Sequence, residues 1–503
     1  MVKTRLRQRL LAVGVAWLLA LSWPGVALAD EAHAGGGIVT SKALWAGVPL
    51  AALALGAIAY AFWRAWKKPR KAAEGGWLYI IAHFSHNAKL FLAYSLLSEV
   101  GAGIWRVMFN LYLLALGFNL DFIGVVLAVN FLFHGLFAFP AGLIADKFGR
   151  RFTFALAIAL AVLSRGALLF TTDPLALLVL MGLSGAADGF HAVAGGPFIM
   201  ENTRPEERPY LFSLNSAFLM LSLFAGALSA GFITVFWGNI LEVIPADPLA
   251  SRMALAISLP LTLLALPPLL FISERRLPAD RIESFKELFT LKNIQSHAII
   301  GRLFLCSLIV GLGFGFVTPF FNVFFREVHR ASYETIGTIM SLGTLGAAAI
   351  TLFSPMMVKR WGRVRSIAAS TLGSIPFLML IVLIPALAPV AIFYIARMGI
   401  YSVSMPLRQQ LAMELVVTRE RGTANGLVHM AFDVPVAPAA FLAGVIMATG
   451  NYLTAFSLAG AILVIPAFLY YSFFAKLEQK KFVPALASGG LVRPVGGGSS
   501  DSL

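Results

Sequence analysis

The sequence predicts an all-α protein that crosses a lipid bilayer many times, and three observations carry that expectation. Of its 503 residues 59% are hydrophobic and only 13% charged, where a soluble domain carries roughly 25% charged residues. Apolar runs of about 20 residues, the helix length that a ~30 Å hydrocarbon core requires, recur from end to end. Strict alternation over about ten residues, the mark of a membrane β-barrel, is nowhere evident. Mean hydropathy is +0.83. The 45 glycines and 25 prolines are tolerated in membrane helices because neighbouring helices satisfy freed backbone groups.

The first residues carry Lys3, Arg5, Arg7 and Arg9, then the apolar run Leu10–Trp23, the break Pro24-Gly25 and the small residues Ala27-Leu28-Ala29. That layout is a secretory signal peptide over 1–29, cleaved after Ala29; the alternative is Leu10–Ala29 as an uncleaved span. An extra transmembrane helix follows over 43–63, closed by Arg64, Lys67, Lys68, Arg70 and Lys71. Both readings deliver the chain to the cytoplasm at that point.

Twelve core helices are expected beyond about Lys89. They fall near 88–116, 121–145, 152–171, 174–197, 210–237 and 250–272, then 295–325, 333–357, 366–385, 389–411, 425–449 and 451–474. They form two six-helix bundles, 85–272 and 295–475. Between them, 273–294 is polar, but Ile282, Phe285, Leu288 and Phe289 recur at helical spacing. An amphipathic helix on the cytoplasmic membrane surface is expected there. The tail 482–503, with its Gly-Gly-Gly-Ser-Ser run, is expected to be disordered.

The halves repeat at an offset of 213 residues: Ile123-Gly124 with Ile336-Gly337, Gly149-Arg150 with Gly362-Arg363, and Glu201 with Glu414. Six helices is an even number, so the bundles insert in the same orientation, as parallel repeats about a pseudo-two-fold axis along the membrane normal. Such a duplication places a solute path between the halves near the midplane.

Net charge +15 and a pI near 10.1 would suggest nucleic acid for a soluble chain. Here the basic residues concentrate in one set of loops, while the alternate loops offer only Arg252, Arg326 and Arg330. That asymmetry places the basic set in the cytoplasm and assigns the charge to topology. Cys306 is the only cysteine, which excludes an intramolecular disulfide and a cysteine metal cluster.

The segment Gly142-Leu143-Ile144-Ala145-Asp146-Lys147-Phe148-Gly149-Arg150-Arg151 is a short polar turn between two spans. It resembles the signature loop between the second and third helices of the major facilitator superfamily, with Gly142, Asp146, Gly149, Arg150 and Arg151 in register. Lys147 is a mild departure from the commoner Arg. The second-half copy is degraded, with Pro355 for the first glycine and Lys359 for the acid. The resemblance implies that fold, alternating access, and a role for the loop as a cytoplasmic lock between the halves that breaks on inward opening. The bland alternative is that its bases only anchor topology.

Ionisable groups inside apolar spans cost about 2.5–3.5 kcal/mol each on insertion scales, so they face a cavity or a partner. Here they are Glu99 and Arg106 in the first core helix, Arg165 in the third, Asp188 and His191 in the fourth, Arg397 in the tenth and Asp433 in the eleventh. His134 and His429 are weaker candidates. The resemblance implies that helices 1, 4, 7 and 10 line the cavity, which singles out Glu99, Arg106, Asp188, His191 and Arg397. Glu99 and Arg106 share a face but lie about 10 Å apart along the axis. Arg397 aligns with Ser184, one turn from Asp188, so the two are expected to face each other. Asp188 or Glu99 is the expected proton carrier; a purely structural ion-pair network is the alternative. Asp433-Val434-Pro435-Val436-Ala437-Pro438 marks a hinge or ion site. Around Pro319, packing is the expected role of Gly311, Gly313 and Gly315, and hinging that of the proline.

No P-loop, dinucleotide fingerprint, metal-binding helix or nucleophile elbow occurs. No enzyme activity, cofactor, metal or nucleic-acid partner is therefore expected. The proline-containing glycine motif and the helix-4 arginine of the family's antiporters are missing too, which weakens a drug–proton antiporter reading. The expectation is a multi-pass secondary transporter of the plasma membrane, a bacterial inner membrane, moving a small solute with protons. A monomer in the lipid bilayer is expected to suffice. An uncoupled facilitator, or a non-transporting sensor or assembly partner on the same fold, are the alternatives.

Overall fold

The computed structural model describes residues 84–204, 207–274, 296–351, 353–417 and 421–487. The expected signal peptide, the extra helix over 43–63, nearly all of the linker and residues 488–503 lie outside them. The described chain folds into twelve helical rods, and no strand occurs among the described residues. The first six are α1 (His86–Ala115), α2 (Leu120–Phe148), α3 (Arg150–Leu168), α4 (Pro174–Asn202), α5 (Arg208–Ile240) and α6 (Pro248–Leu263, continued by Leu266–Leu270). In the second half, α7 is His297–Gly315 continued through Thr318–Phe320 to Phe321–Glu327, and α8 is Tyr333–Thr351 continued by Ser354–Trp361. They are followed by α9 (Arg363–Leu383), α10 (Leu387–Ser402 and Ser404–Leu415), α11 (Arg421–Ala448) and α12 (Tyr452–Ala487). Eleven segments are long and apolar enough to cross a membrane by length and composition. The exception is α8, which its Gly, Thr and Ser residues make less apolar.

Local chemistry starts these rods where the sequence offers it. Asp173 and Asp247 each precede a proline, and each carboxylate accepts from the backbone N–H of Ala176 (2.7 Å) or Leu249 (2.7 Å). A side-chain acceptor before a first-turn proline is a strong helix start. Ser85 caps α1 in the same way, accepting from Ala88 N–H at 3.1 Å. At the other end of the chain, α12 continues to Ala487, past the boundary near 474 that the sequence suggests.

The signature segment departs from its expected form. Helix α2 runs through Asp146 and Lys147 to Phe148, and α3 begins at Arg150, so the polar turn shrinks to Gly149 alone. Gly149 has φ +96°, and Gly362 repeats it at +82°. That region of backbone space is essentially closed to residues with a Cβ.

Burial divides the molecule in an informative way. One large core occupies the outer ends of the rods and mixes both halves, including Trp105, Phe109, Tyr112, Phe321, Phe325, Tyr394 and Phe456. At the cytoplasmic ends there are two separate cores. One holds first-half residues such as Phe91, Phe154 and Phe198; the other holds second-half residues such as Leu303, Leu407 and Phe474. The α2–α11 seam shows the same taper. A Cβ on Gly124 or Gly444, near the outer end, would run into the backbone of the opposing rod, whereas a Cβ on Gly142 or Gly426, towards the cytoplasm, would meet nothing of the described residues within 4 Å. The halves are sealed outside and parted inside.

A reciprocal clamp closes the outer end. Asn110 of α1 donates to the Pro319 carbonyl at 2.8 Å, and Asn322 of α7 donates to the Val107 carbonyl at 2.8 Å. The two asparagines also meet at 3.3 Å. Between Gly315 and Phe321 the α7 helix breaks into a 3-10 turn at Pro319. Gly311, Gly313 and Gly315 each sit hard against α11 or α12, the close packing that small residues permit. Pro435 and Pro438 lie inside an unbroken α11.

Candidate functional site

Inside the inward-parted cavity the first-half charges form two linked pairs. Glu99 of α1 lies 3.3 Å from His191 Nε2 of α4, and His191 Nδ1 hydrogen-bonds the Tyr94 hydroxyl at 2.6 Å. One layer away, Arg165 of α3 bonds Asp188 of α4 at 2.6 Å and donates through Nε to Ser184 Oγ at 3.1 Å. The Arg165 guanidinium also stacks 5.5 Å from the Trp105 ring. Asp188 thus belongs to Arg165, within its own bundle, and does not meet Arg397.

A third pair bridges the halves. Asp433 of α11 lies 3.9 Å from His134 Nδ1 of α2, at the level where Gly135 presses on Val434. Above it the seam is tight; below it the rods diverge.

Arg106 and Arg397 are different. No carboxylate pairs with either among the described residues. Arg106 is exposed, although Trp105 and Val107 on either side are buried. Arg397 is 1% exposed and its Nε has no partner. Its guanidinium is held by the faces of Phe321 (5.0 Å) and Tyr401 (5.7 Å).

At the cytoplasmic rim, Arg150 pairs with Glu201 at 3.2 Å. The Glu274 carboxylate sits on the start of α3, accepting from the backbone N–H of Arg150 and, at 3.3 Å, of Arg151. Arg151 reaches the Ile272 carbonyl at 3.1 Å. A carboxylate at a helix N-terminus satisfies orphan donors and opposes the helix dipole. The second half repeats this: Arg363 pairs with Glu414, and Glu478 accepts from the N–H groups of Arg363 (2.6 Å) and Val364 (3.1 Å). A Cβ on Gly142 would meet open space. Asp146 and Lys147 lie on the last turn of α2; their side chains are outside the described set. These contacts run within each half, as befits a cytoplasmic end that is open.

Sequence reasoning found Glu99, Arg106, Asp188, His191, Arg397 and Asp433 as intramembrane charges but not their pairings. It missed Tyr94, Ser184, Glu274, Glu478, Asn110 and Asn322. The asparagines were findable, since they are polar groups in apolar runs one residue off the repeat offset. Among the described residues, no group of three or more His, Cys, Asp or Glu side chains is placed to hold a metal ion.

The family model of the Major Facilitator Superfamily matches residues 90–437 and 303–492. The chain belongs to that superfamily, and it is a multi-pass membrane transporter. Comparison with curated proteins returns no match. Among solved structures it is similar to the nucleoside transporter NupG at 16% identity, covering 78% of this chain and 99% of that one with a TM-score of 0.59. It is also similar to the D-xylose–proton symporter at 15% identity, covering 77% and 97% with a TM-score of 0.63. A third is a bacterial homologue of the human lysosomal transporter Spinster, inward-facing and occupied, at 14% identity, 79% and 97% coverage and a TM-score of 0.62. At such identities the likeness concerns the fold.

Proposed function

We propose that this protein carries a small solute across the membrane together with protons, by alternating access, with the Glu99–His191 pair as proton carrier. The observation that supports this is the Tyr94–His191–Glu99 relay. With a neutral imidazole, Tyr94 O–H donates to Nδ1 and Nε2–H faces Glu99. With a charged imidazole, both ring nitrogens donate and the Tyr94 oxygen accepts. The pair takes up or releases a proton while both of its contacts persist, the Tyr94 hydroxyl changing from donor to acceptor. Asp188, held by Arg165, serves as a fixed counter-ion. Asp433 and His134 form a second titratable pair where the halves begin to part. The signature turn, with Gly142, Asp146, Lys147, Gly149, Arg150 and Arg151, serves as the cytoplasmic gate. Among fold neighbours, the D-xylose–proton symporter is by name proton-driven, a precedent for coupling on this scaffold.

Purified protein in liposomes containing the pH dye pyranine tests the reading, with D-xylose, uridine, succinate and glucose 6-phosphate offered in turn. At least one solute should drive proton movement, and Glu99→Gln and His191→Asn should each abolish it while radiolabelled solute exchange continues. Solute entry with no proton movement in the unaltered protein, or full coupling in both variants, contradicts it and favours a facilitator.

A further inference from the structure

Three arginines and three acids occupy the spans of the pathway, so equal numbers alone say nothing about the solute. Their pairing does. Arg165 is paired with Asp188, Glu99 with His191, and Asp433 lies beside His134. Arg106 and Arg397 are left over, one from each half.

The two lie at one depth. Arg106 is nine residues from the outer end of α1 and Arg397 ten from the outer end of α10, about 14 and 15 Å at the rise of an α-helix. Arg106 also faces the opposite half rather than lipid. Asn110, one turn further on the same face, bonds Pro319 of α7. Val107, its neighbour, accepts from Asn322, and Phe321, next to Asn322, lies against Arg397. The α7 elbow therefore has one arginine on each side, and the Tyr394 ring packs edge-on against Phe321 at 4.8 Å. Because the outer core is closed above this level, the exposure of Arg106 is exposure to the inward cavity. The Arg397 guanidinium has an unbonded Nε and, besides two aromatic faces, only the Met398 sulfur at 3.7 Å from its Nη1, so it lacks the anion that usually stabilises such a desolvated group.

We infer that Arg106 and Arg397 together hold an anionic group, a carboxylate or a phosphate, of the transported solute. This rests on the transport reading and adds the solute's chemical class. Arg106 meets the solute as it enters from the cytoplasm. Arg397 engages it as the cavity closes from below and the α7 elbow shifts.

Calorimetric titration of the purified full-length protein with succinate, benzoate, glucose 6-phosphate and glucose tests it. One or more anions should bind and glucose should not; whether a carboxylate or the phosphate ester binds separates the two chemistries. Arg397 is buried and its replacement carries a folding risk, so exposed Arg106 supplies the decisive variant. Arg106→Gln should weaken anion binding at least tenfold, and Arg106→Lys should weaken it less. Failure of all three anions to bind at millimolar concentration, or unaltered affinity in Arg106→Gln, overturns the inference. An anion that binds yet moves no protons in liposomes removes the coupling and leaves this site standing. A neutral solute that moves protons, with no anion bound, does the reverse.

Discussion

At the cytoplasmic surface the two halves are built alike. Arg150, Glu201 and Glu274 around the start of α3 are answered by Arg363, Glu414 and Glu478 around the start of α9, with a positive-φ glycine at each turn. In the cavity the likeness ends. At the 213-residue offset Glu99 corresponds to Leu312, Arg106 to Pro319, Arg165 to Leu378, Asp188 to Tyr401 and His191 to Ser404. Charge at the membrane surface starts helices and anchors topology, needs that both halves share. Charge within the bilayer is costly, and a purely structural need would be met in both copies. Its confinement mostly to one half is what the proposed role in transport calls for.

The sharpest way to break that contrast is the Arg165–Asp188 pair. Asp188→Asn leaves a buried guanidinium uncompensated and should destabilise the protein by about 3–5 kcal/mol, at the lower end because water reaches Asp188. Thermal melting in detergent reads this, and Arg165→Met with Asp188→Leu should recover most of the loss. A silent Asp188→Asn would mean that the cavity charges are not costly.

The turn glycines sharpen the comparison at smaller scale. Gly149→Ala and Gly362→Ala each force a Cβ into a glycine-only region, about 1–3 kcal/mol. The loss should be greater at 149, where the new carbon overlaps the Glu274 carboxylate, than at 362, where the Glu478 carboxylate lies 3.4 Å away. Equal melting shifts would show that backbone strain alone matters. Smallest of all, Glu274→Gln and Glu478→Gln should each cost about 0.3–1 kcal/mol and lose much of their effect in high salt, as charge–dipole contacts near the surface do. A large difference between these two variants would count against equivalent roles.

The legible part of the sequence was whatever repeats along the chain. Run length indicated twelve rods, and one offset tied Gly149-Arg150 and Glu201 to Gly362-Arg363 and Glu414, which then prove to pair. Partners that meet only in space left no such trace. Glu274 and Glu478 cap equivalent helices from unequal distances along the chain, so no offset links them. Asp188 was expected opposite Arg397, yet Arg165, 23 residues away on the neighbouring rod, reaches it first. The density of charge in the signature segment predicts a loop; backbone hydrogen bonding carries the helix on to Phe148.

Alternating access is tested most directly by distances at the two ends of equivalent rods. Spin labels at Phe152→Cys and Arg365→Cys report the cytoplasmic ends of α3 and α9, and labels at Phe170→Cys and Leu383→Cys report the outer ends. All four positions are exposed, and the buried Cys306 is replaced by Ser. Pulsed electron–electron resonance in liposomes, before and after adding a transported solute, should show the inner distance shorten as the outer one lengthens. Distances that change together, or not at all, would contradict the account.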